Sequence, residues 1–94
     1  MSLGLLTLQL RLPGCQSLKE KRSRIKPLLA RLHREFNVST AELDRQDNWQ
    51  ETVIGCALLS NDAAHTQRAL QTVSSWVEAN WPDVEMIDDQ IEII

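Results

Sequence analysis

Ninety-four residues suffice for one hydrophobic core and not two, and 43% hydrophobic with 24% charged residues exclude a disordered tail and a coiled-coil rod. No apolar run approaches the ~18 residues of a membrane span and no charged region leads into a signal peptide, so one cytosolic domain over residues 1–94 is expected. The net charge of -3 hides an asymmetry: residues 1–34 hold eight Lys or Arg against Glu20 alone, while the remainder holds two against twelve acids.

Leu6, Leu8, Leu10 and Leu12 alternate with Thr7, Gln9 and Arg11, the period of a strand with one buried face. Pro13-Gly14 breaks it. Ser17-Leu-Lys-Glu20 reads as a capping box, and Leu18, Ile25, Leu29, Leu32 and Phe36 share a narrow arc at 100° per residue, which predicts a helix with that arc in the core. Pro27 lies inside it and cannot donate to Ser23, so a kink or a break is expected.

Residues 37–43 are β-branched and too short for another helix, and residues 44–48 are polar and turn-rich. Residues 49–60 carry Val53, Ile54, Leu58 and Leu59, so the two flanking runs are expected as a hairpin. Ser60-Asn-Asp62 supplies caps for a second helix whose Ala63, Thr66, Leu70, Val73 and Val77 share a face until Asn80 and Pro82 stop it. Residues 84–94 end the chain as a strand, with Ile87, Ile91 and Ile93 on one side.

The order is β-α-β-β-α-β, which predicts an α+β fold of ferredoxin-like plan: a four-stranded antiparallel sheet with two helices on one face. Leu6, Leu8, Leu10, Leu29, Leu32, Leu70 and Val73 are the expected shared core. The strands are apolar on both sides, since Leu5 opposes Leu6, and Val53, Ala57 and Leu59 alternate with Ile54, Cys56 and Leu58. A second cover is therefore expected, and another copy of the chain is the simplest one. The face covered is that of Leu5, Thr7, Ile54 and Leu58, or of their opposite neighbours, because register alone decides it.

Leu10-Arg-Leu-Pro-Gly-Cys-Gln-Ser-Leu-Lys-Glu-Lys-Arg22, Phe36-Asn-Val-Ser-Thr-Ala-Glu42, Asp47-Asn-Trp-Gln50 and Ser60-Asn-Asp62 together resemble the YlxP-like family of small uncharacterised bacterial proteins. The likeness runs from about Gly4 to the C-terminus, and Met1 to Leu3 are set aside as in part a remnant of cloning. The resemblance implies a ferredoxin-like fold and, from neighbouring genes for ribosome maturation and translation initiation, a setting of RNA or ribosome association. It brings no catalytic residues. Pro27 departs from the usual run of this helix.

Lys19, Lys21, Arg22, Arg24 and Lys26 crowd a helix start, followed by Arg31 and Arg34. On a helical wheel Lys19, Arg22 and Lys26 fall on one flank with His33 beyond them, while Arg24, Arg31 and Arg34 point outward, two ridges that suit successive phosphates. The bland alternative is a solvated helix whose cations pair with the acidic half. Against it, cations at a helix N-terminus oppose the dipole and repel one another.

Asp47, Trp49 and Gln50 at the hairpin form a second candidate, in which the indole stacks or anchors a partner; the alternative is a tryptophan covering the core edge. Trp76 and Trp81 read as core neighbours. The central strands lack the aromatics of an RNA-stacking sheet, so RNA is expected on the helix and loop surface through phosphates and shape.

Two cysteines, Cys15 and Cys56, are too few for a disulfide framework and are expected as thiols. Cys15 beside lysines and a helix start has conditions for a lowered thiol pKa, yet no base or orienting partner stands near it in the sequence. His33 and His65 lie on different helices without metal-ligand spacing, and the Pro13-Gly-Cys-Gln16 loop lacks the glycines of an acyl-phosphatase cradle. No metal, cofactor or catalytic residue is expected. The expected function is a non-catalytic accessory protein that binds structured RNA or a ribosomal particle through the first helix. The alternative is a protein-interaction module that docks an acidic partner.

Overall fold

The computed structural model describes residues 1–45 and 47–94; Gln46, within the predicted turn, lies outside them. The elements are β1 (Ser2–Arg11), α1 (Leu18–Phe36), β2 (Ser39–Asp44), β3 (Glu51–Ser60), α2 (Ala63–Asn80) and β4 (Glu85–Ile93). The strands form one sheet of order β2-β3-β1-β4 with every neighbouring pair antiparallel. This is the ferredoxin-like α+β plan. Ser2 and Leu3 are rungs of it, opposite Ser60 and Leu59.

Alternation along β1 does what its sequence requires: Leu6, Leu8 and Leu10 are fully buried beneath the helices, and the register sets them opposite Cys56, Ile54 and Thr52 of β3. Leu32 from α1 and Leu70 and Val73 from α2 close the layer. Leu29 is only half-buried; Leu28 takes its place.

That exchange reflects a turn of the whole helix. The buried positions of α1 are Lys21, Ile25, Leu28 and Leu32, so at 100° per residue its core face is rotated by about 40° from the predicted arc of Leu18, Ile25, Leu29, Leu32 and Phe36. The same rotation moves every cation on the cylinder. Lys21 rolls under, Arg24 and Arg31 roll toward α2, and Lys19, Lys26 and Arg34 are left outward.

Ser17 caps α1, its hydroxyl accepting from the Glu20 N–H at 3.0 Å. Only this half of the expected box forms, because Arg24 Nη1 takes the Glu20 carboxylate at 3.3 Å. Pro27 does not break the helix, which runs unbroken to Phe36. Asn37 ends it in the left-handed region (φ 52°), with its N–H returned to the His33 carbonyl. That cap uses the residue predicted to open the second strand, so β2 starts at Ser39.

Two register shifts re-aim apolar side chains. One lies between Glu42 and Asp44 and the other opposite Gln9 and Leu10, which leaves Leu43 and Ile87 as the extra residues. Ile87 is therefore out of phase with Ile91 and exposed, not aligned with it as the bare alternation predicts.

Candidate nucleic-acid interface

The structure sorts the seven predicted cations of α1 into two groups. Lys21 is 1% exposed. Its ammonium lies 2.9 Å from Glu42 Oε2 and donates to the Arg45 carbonyl. Thr52 Oγ1 donates to the same carboxylate oxygen at 2.6 Å. A buried ammonium is tolerable only when paired and hydrogen-bonded, and these contacts supply both requirements. Lys21 is thus no surface contact for phosphate. It fastens the β2–β3 hairpin to the first turn of α1.

Arg24 is likewise committed inward, contrary to the outward ridge expected of it. Its Nε and Nη2 donate to the Asp83 carboxylate and carbonyl at 2.9 and 2.7 Å, and Nη1 reaches the Pro13 carbonyl at 3.0 Å. The hydrogen bond to Asp83 holds its pKa above the ordinary value. Arg31 meets Glu35 at 3.3 Å and lies over the Trp76 ring, 5.3 Å from its centroid. Trp76 in turn contacts Phe36 edge-on at 5.6 Å and Trp81 at 6.1 Å, so these aromatics belong to the junction of α1 and α2.

Lys19, Arg22, Lys26 and Arg34 remain. All four are exposed, and none makes an ion pair among the described residues. Arg22 lies on the β2 flank, the side on which the Leu29 carbonyl accepts from Thr40 Oγ1 and His33 Nδ1 meets the Val38 carbonyl at 2.7 Å. The cations that the structure does not use internally thus form a stripe from the first turn of α1 to its last.

Trp49 is 51% exposed on the turn before β3, with Asp47 and Gln50 exposed beside it. Asn48 shapes that turn by accepting from the Gln50 and Glu51 N–H groups at 2.8 and 3.1 Å, and the Gln50 carbonyl accepts from Leu12 N–H at 2.8 Å. The indole therefore projects from an anchored turn and does not cover the core edge.

The partners Glu42, Thr52 and Asp83 do not stand out in the sequence. Glu42 leaves a trace there, a charge in phase with Thr40 on the inward side of β2, facing Ile54. Asp83 leaves none, because its pairing to Arg24 joins segments far apart in the chain.

Both cysteines are buried thiols. Cys15 Sγ–H points to the Ser17 carbonyl at 3.5 Å, which leaves no accessible nucleophile in the β1–α1 loop. Burial pushes the Cys56 thiol up to about 12 from 9.0. A raised folded pKa means the unfolded chain loses its proton first. This contribution to stability is whole below pH 9.0 and is lost as pH rises toward about 12. Urea melts across that interval should show a fall in stability that Cys56→Ala reduces.

Among the described residues no group of three or more His, Cys, Asp or Glu is placed to hold a metal, and no helix is long and apolar enough to cross a membrane. Residues 3–91 match the family model described as Protein of unknown function (DUF503). The chain is similar to the uncharacterized protein YlxP of Bacillus subtilis (strain 168), at 41% identity over 73% of this chain and 74% of that protein. A de novo designed protein, Foldit4, shares the fold, with a TM-score of 0.51 at 17% identity over 98% of this chain and 96% of that one.

Proposed function

The chain belongs to the DUF503 family, whose description assigns no activity, and on the geometry of its first helix we propose that it binds structured RNA or a ribosomal particle. The observation that carries this reading is the sorting of α1. Lys21, Arg24 and Arg31 have partners inside the protein, whereas Lys19, Arg22, Lys26 and Arg34 have none among the described residues. Like charges on one exposed flank repel, so their clustering adds nothing to the fold. Phosphate oxygens spaced along an RNA backbone neutralise such a stripe without demanding sequence. The translation setting implied by the family resemblance agrees with this.

The decisive variant carries Lys19→Gln, Arg22→Gln and Lys26→Gln. Exposed changes of this kind usually cost under ~0.5 kcal/mol, so its melting curve should match that of the unmodified protein. Binding to structured RNA should weaken alike across unrelated sequences, and the slope of log affinity against log salt should shrink by roughly 0.7–0.9 for each phosphate that is no longer neutralised. Arg24→Gln, whose guanidinium is internally engaged, should leave the slope unchanged. Absence of RNA or ribosomal particles from protein purified at low salt without nuclease overturns the reading.

Trp49 favours a second reading, a protein-interaction module docking an acidic partner, because a half-exposed indole on a braced turn suits an anchor. In that case Trp49→Ala weakens capture most, and salt alters the on-rate more than the final affinity.

A further inference from the structure

The face of the sheet turned away from the helices has no cover, and its chemistry is divided. On β1, β2 and β3 it presents Leu3, Leu5, Ala41, Leu43, Ala57 and Leu59. Leu59 is 64% and Leu43 49% exposed. Along β4 it presents Asp88, Gln90 and Glu92. The expected covered face needs a correction here: Leu5 and Thr7 lie on it, but Ile54 and Leu58 point to the helices. Their neighbours Val53, Ala57 and Leu59 share the face of Leu5 instead, opposite Gln9, Leu5 and Leu3. Leu43 folds back over Gly55, where a Cβ would come within 2.5 Å of it, and a depression of about 170 Å³ opens between Leu5, Ala41 and Ala57.

We propose that this face joins two copies of the chain, with the twofold axis running parallel to the strands between β1 and β3. Monomeric proteins rarely leave a contiguous apolar surface of this kind in water. The available area suits a second copy. Three strands of nine or ten residues span ~30 Å and β2, of six, ~20 Å, and the four together are ~19 Å wide. The pair therefore buries ~1,100 Å², at the lower edge of specific interfaces. A dimer that dissociates on dilution is expected.

Charge selects the axis. A twofold axis across the strands lays β4 on the partner's β4 and sets Asp88 and Glu92 against like carboxylates. An axis along the strands lays β4 on the partner's β2, so that Glu92 meets Ser39 and Gln90 meets Ala41; the contact of Asp88 with the partner's Asp44 is offset by Arg11, which lies over the partner's Glu51. Register gives the level. Leu5 pairs with Ala57 on one side and Glu92 on the other, and Ala57 pairs with Ser39, so these four form one row across the sheet. Turned upon itself, the row places Leu5 over the partner's Ala57 and brings Glu92 within reach of the partner's Ser39 hydroxyl. Both α1 helices remain on the outside.

Sedimentation equilibrium of the full chain, freed of nucleic acid, tests this independently of the RNA reading. A dimer mass is expected at about 100 micromolar, shifting toward monomer at about 1 micromolar. Leu59→Arg should be monomeric throughout with an unchanged circular dichroism spectrum, whereas Ala30→Arg, on the exposed face of α1, should still dimerise. A thiol crosslinker of ~8 Å span should link the double variant Ser39→Cys, Glu92→Cys into dimers, because facing sheets lie ~10 Å apart whereas the edge strands β2 and β4 are ~14 Å apart within one chain. Glu92→Cys alone should not. A monomer at about 100 micromolar, an open series of larger masses, or ready linkage of the Glu92→Cys protein to itself overturns the proposal.

Discussion

Lys21→Ala should lower stability by ~3 kcal/mol, and the melting temperature by about 15 °C for a domain of this size. Removing the ammonium strands Glu42, whose side chain is only 22% exposed, together with the Arg45 carbonyl. Breaking a buried pair from one side commonly costs about 3–5 kcal/mol, and the residual exposure of Glu42 places this case at the low end. Removing both charges tells the two halves of the effect apart. Lys21→Met with Glu42→Leu should regain part of the loss, since apolar groups of similar size replace the charged pair and leave no uncompensated charge, although the Thr52 hydroxyl and the Arg45 carbonyl lose their partners. Thermal denaturation of the single and double variants measures this directly. A Lys21 variant with normal stability would mean that the ammonium is not buried as described. The result also guards the binding experiment, because a Lys21 variant loses RNA by unfolding and says nothing about phosphate contact.

Gly4→Val should cost ~3 kcal/mol, near the top of the usual range for overpacking. A Cβ at Gly4 runs into Thr66 Cγ2 and lies 2.8 Å from Leu70 Cδ1. Thr66 and Leu70 are both fully buried on α2. The strand is central in the sheet and the helix is held by Leu70 and Val73, so neither side can retreat cheaply. Urea unfolding should show a lower midpoint with an unchanged slope, the mark of a strained folded state rather than an altered unfolded one. An unchanged midpoint would show that α2 does not approach the sheet this closely.

Much of the architecture was readable because two periods dominate. Alternating leucines on β1 and the caps at Ser17 and Asp62 fix element types with no knowledge of their neighbours. Rotation about a helix axis is different. Leu18, Leu28, Leu29 and Phe36 offered two overlapping apolar arcs, and the choice fell to Glu42 and Arg45, which give Lys21 a place beneath the helix that no local pattern announces. The stripe of Lys19, Arg22 and Lys26 was legible as a flank. The internal engagement of Arg24 and Arg31 was not, because Asp83 and Trp76 reach those arginines from elsewhere in the chain. Leu43 and Ile87 illustrate the corresponding limit for strands, since one inserted residue inverts the phase and the insertion is set by pairing.

The placement of β1 between β3 and β4 also sets a timetable. Gly4 pairs with Leu58 and Ile93, so the first strand made waits on one partner from mid-chain and another from the last strand. Until β4 arrives, one edge of the leucine-rich central strand β1 has no hydrogen-bonding neighbour. Such long loops must close before the contacts that reward them exist, which makes folding slow relative to a helical bundle of equal size. During synthesis β1, both helices, β2 and β3 therefore all emerge before the sheet can be completed, and the unfinished β1 edge is exposed to wrong partners in that interval.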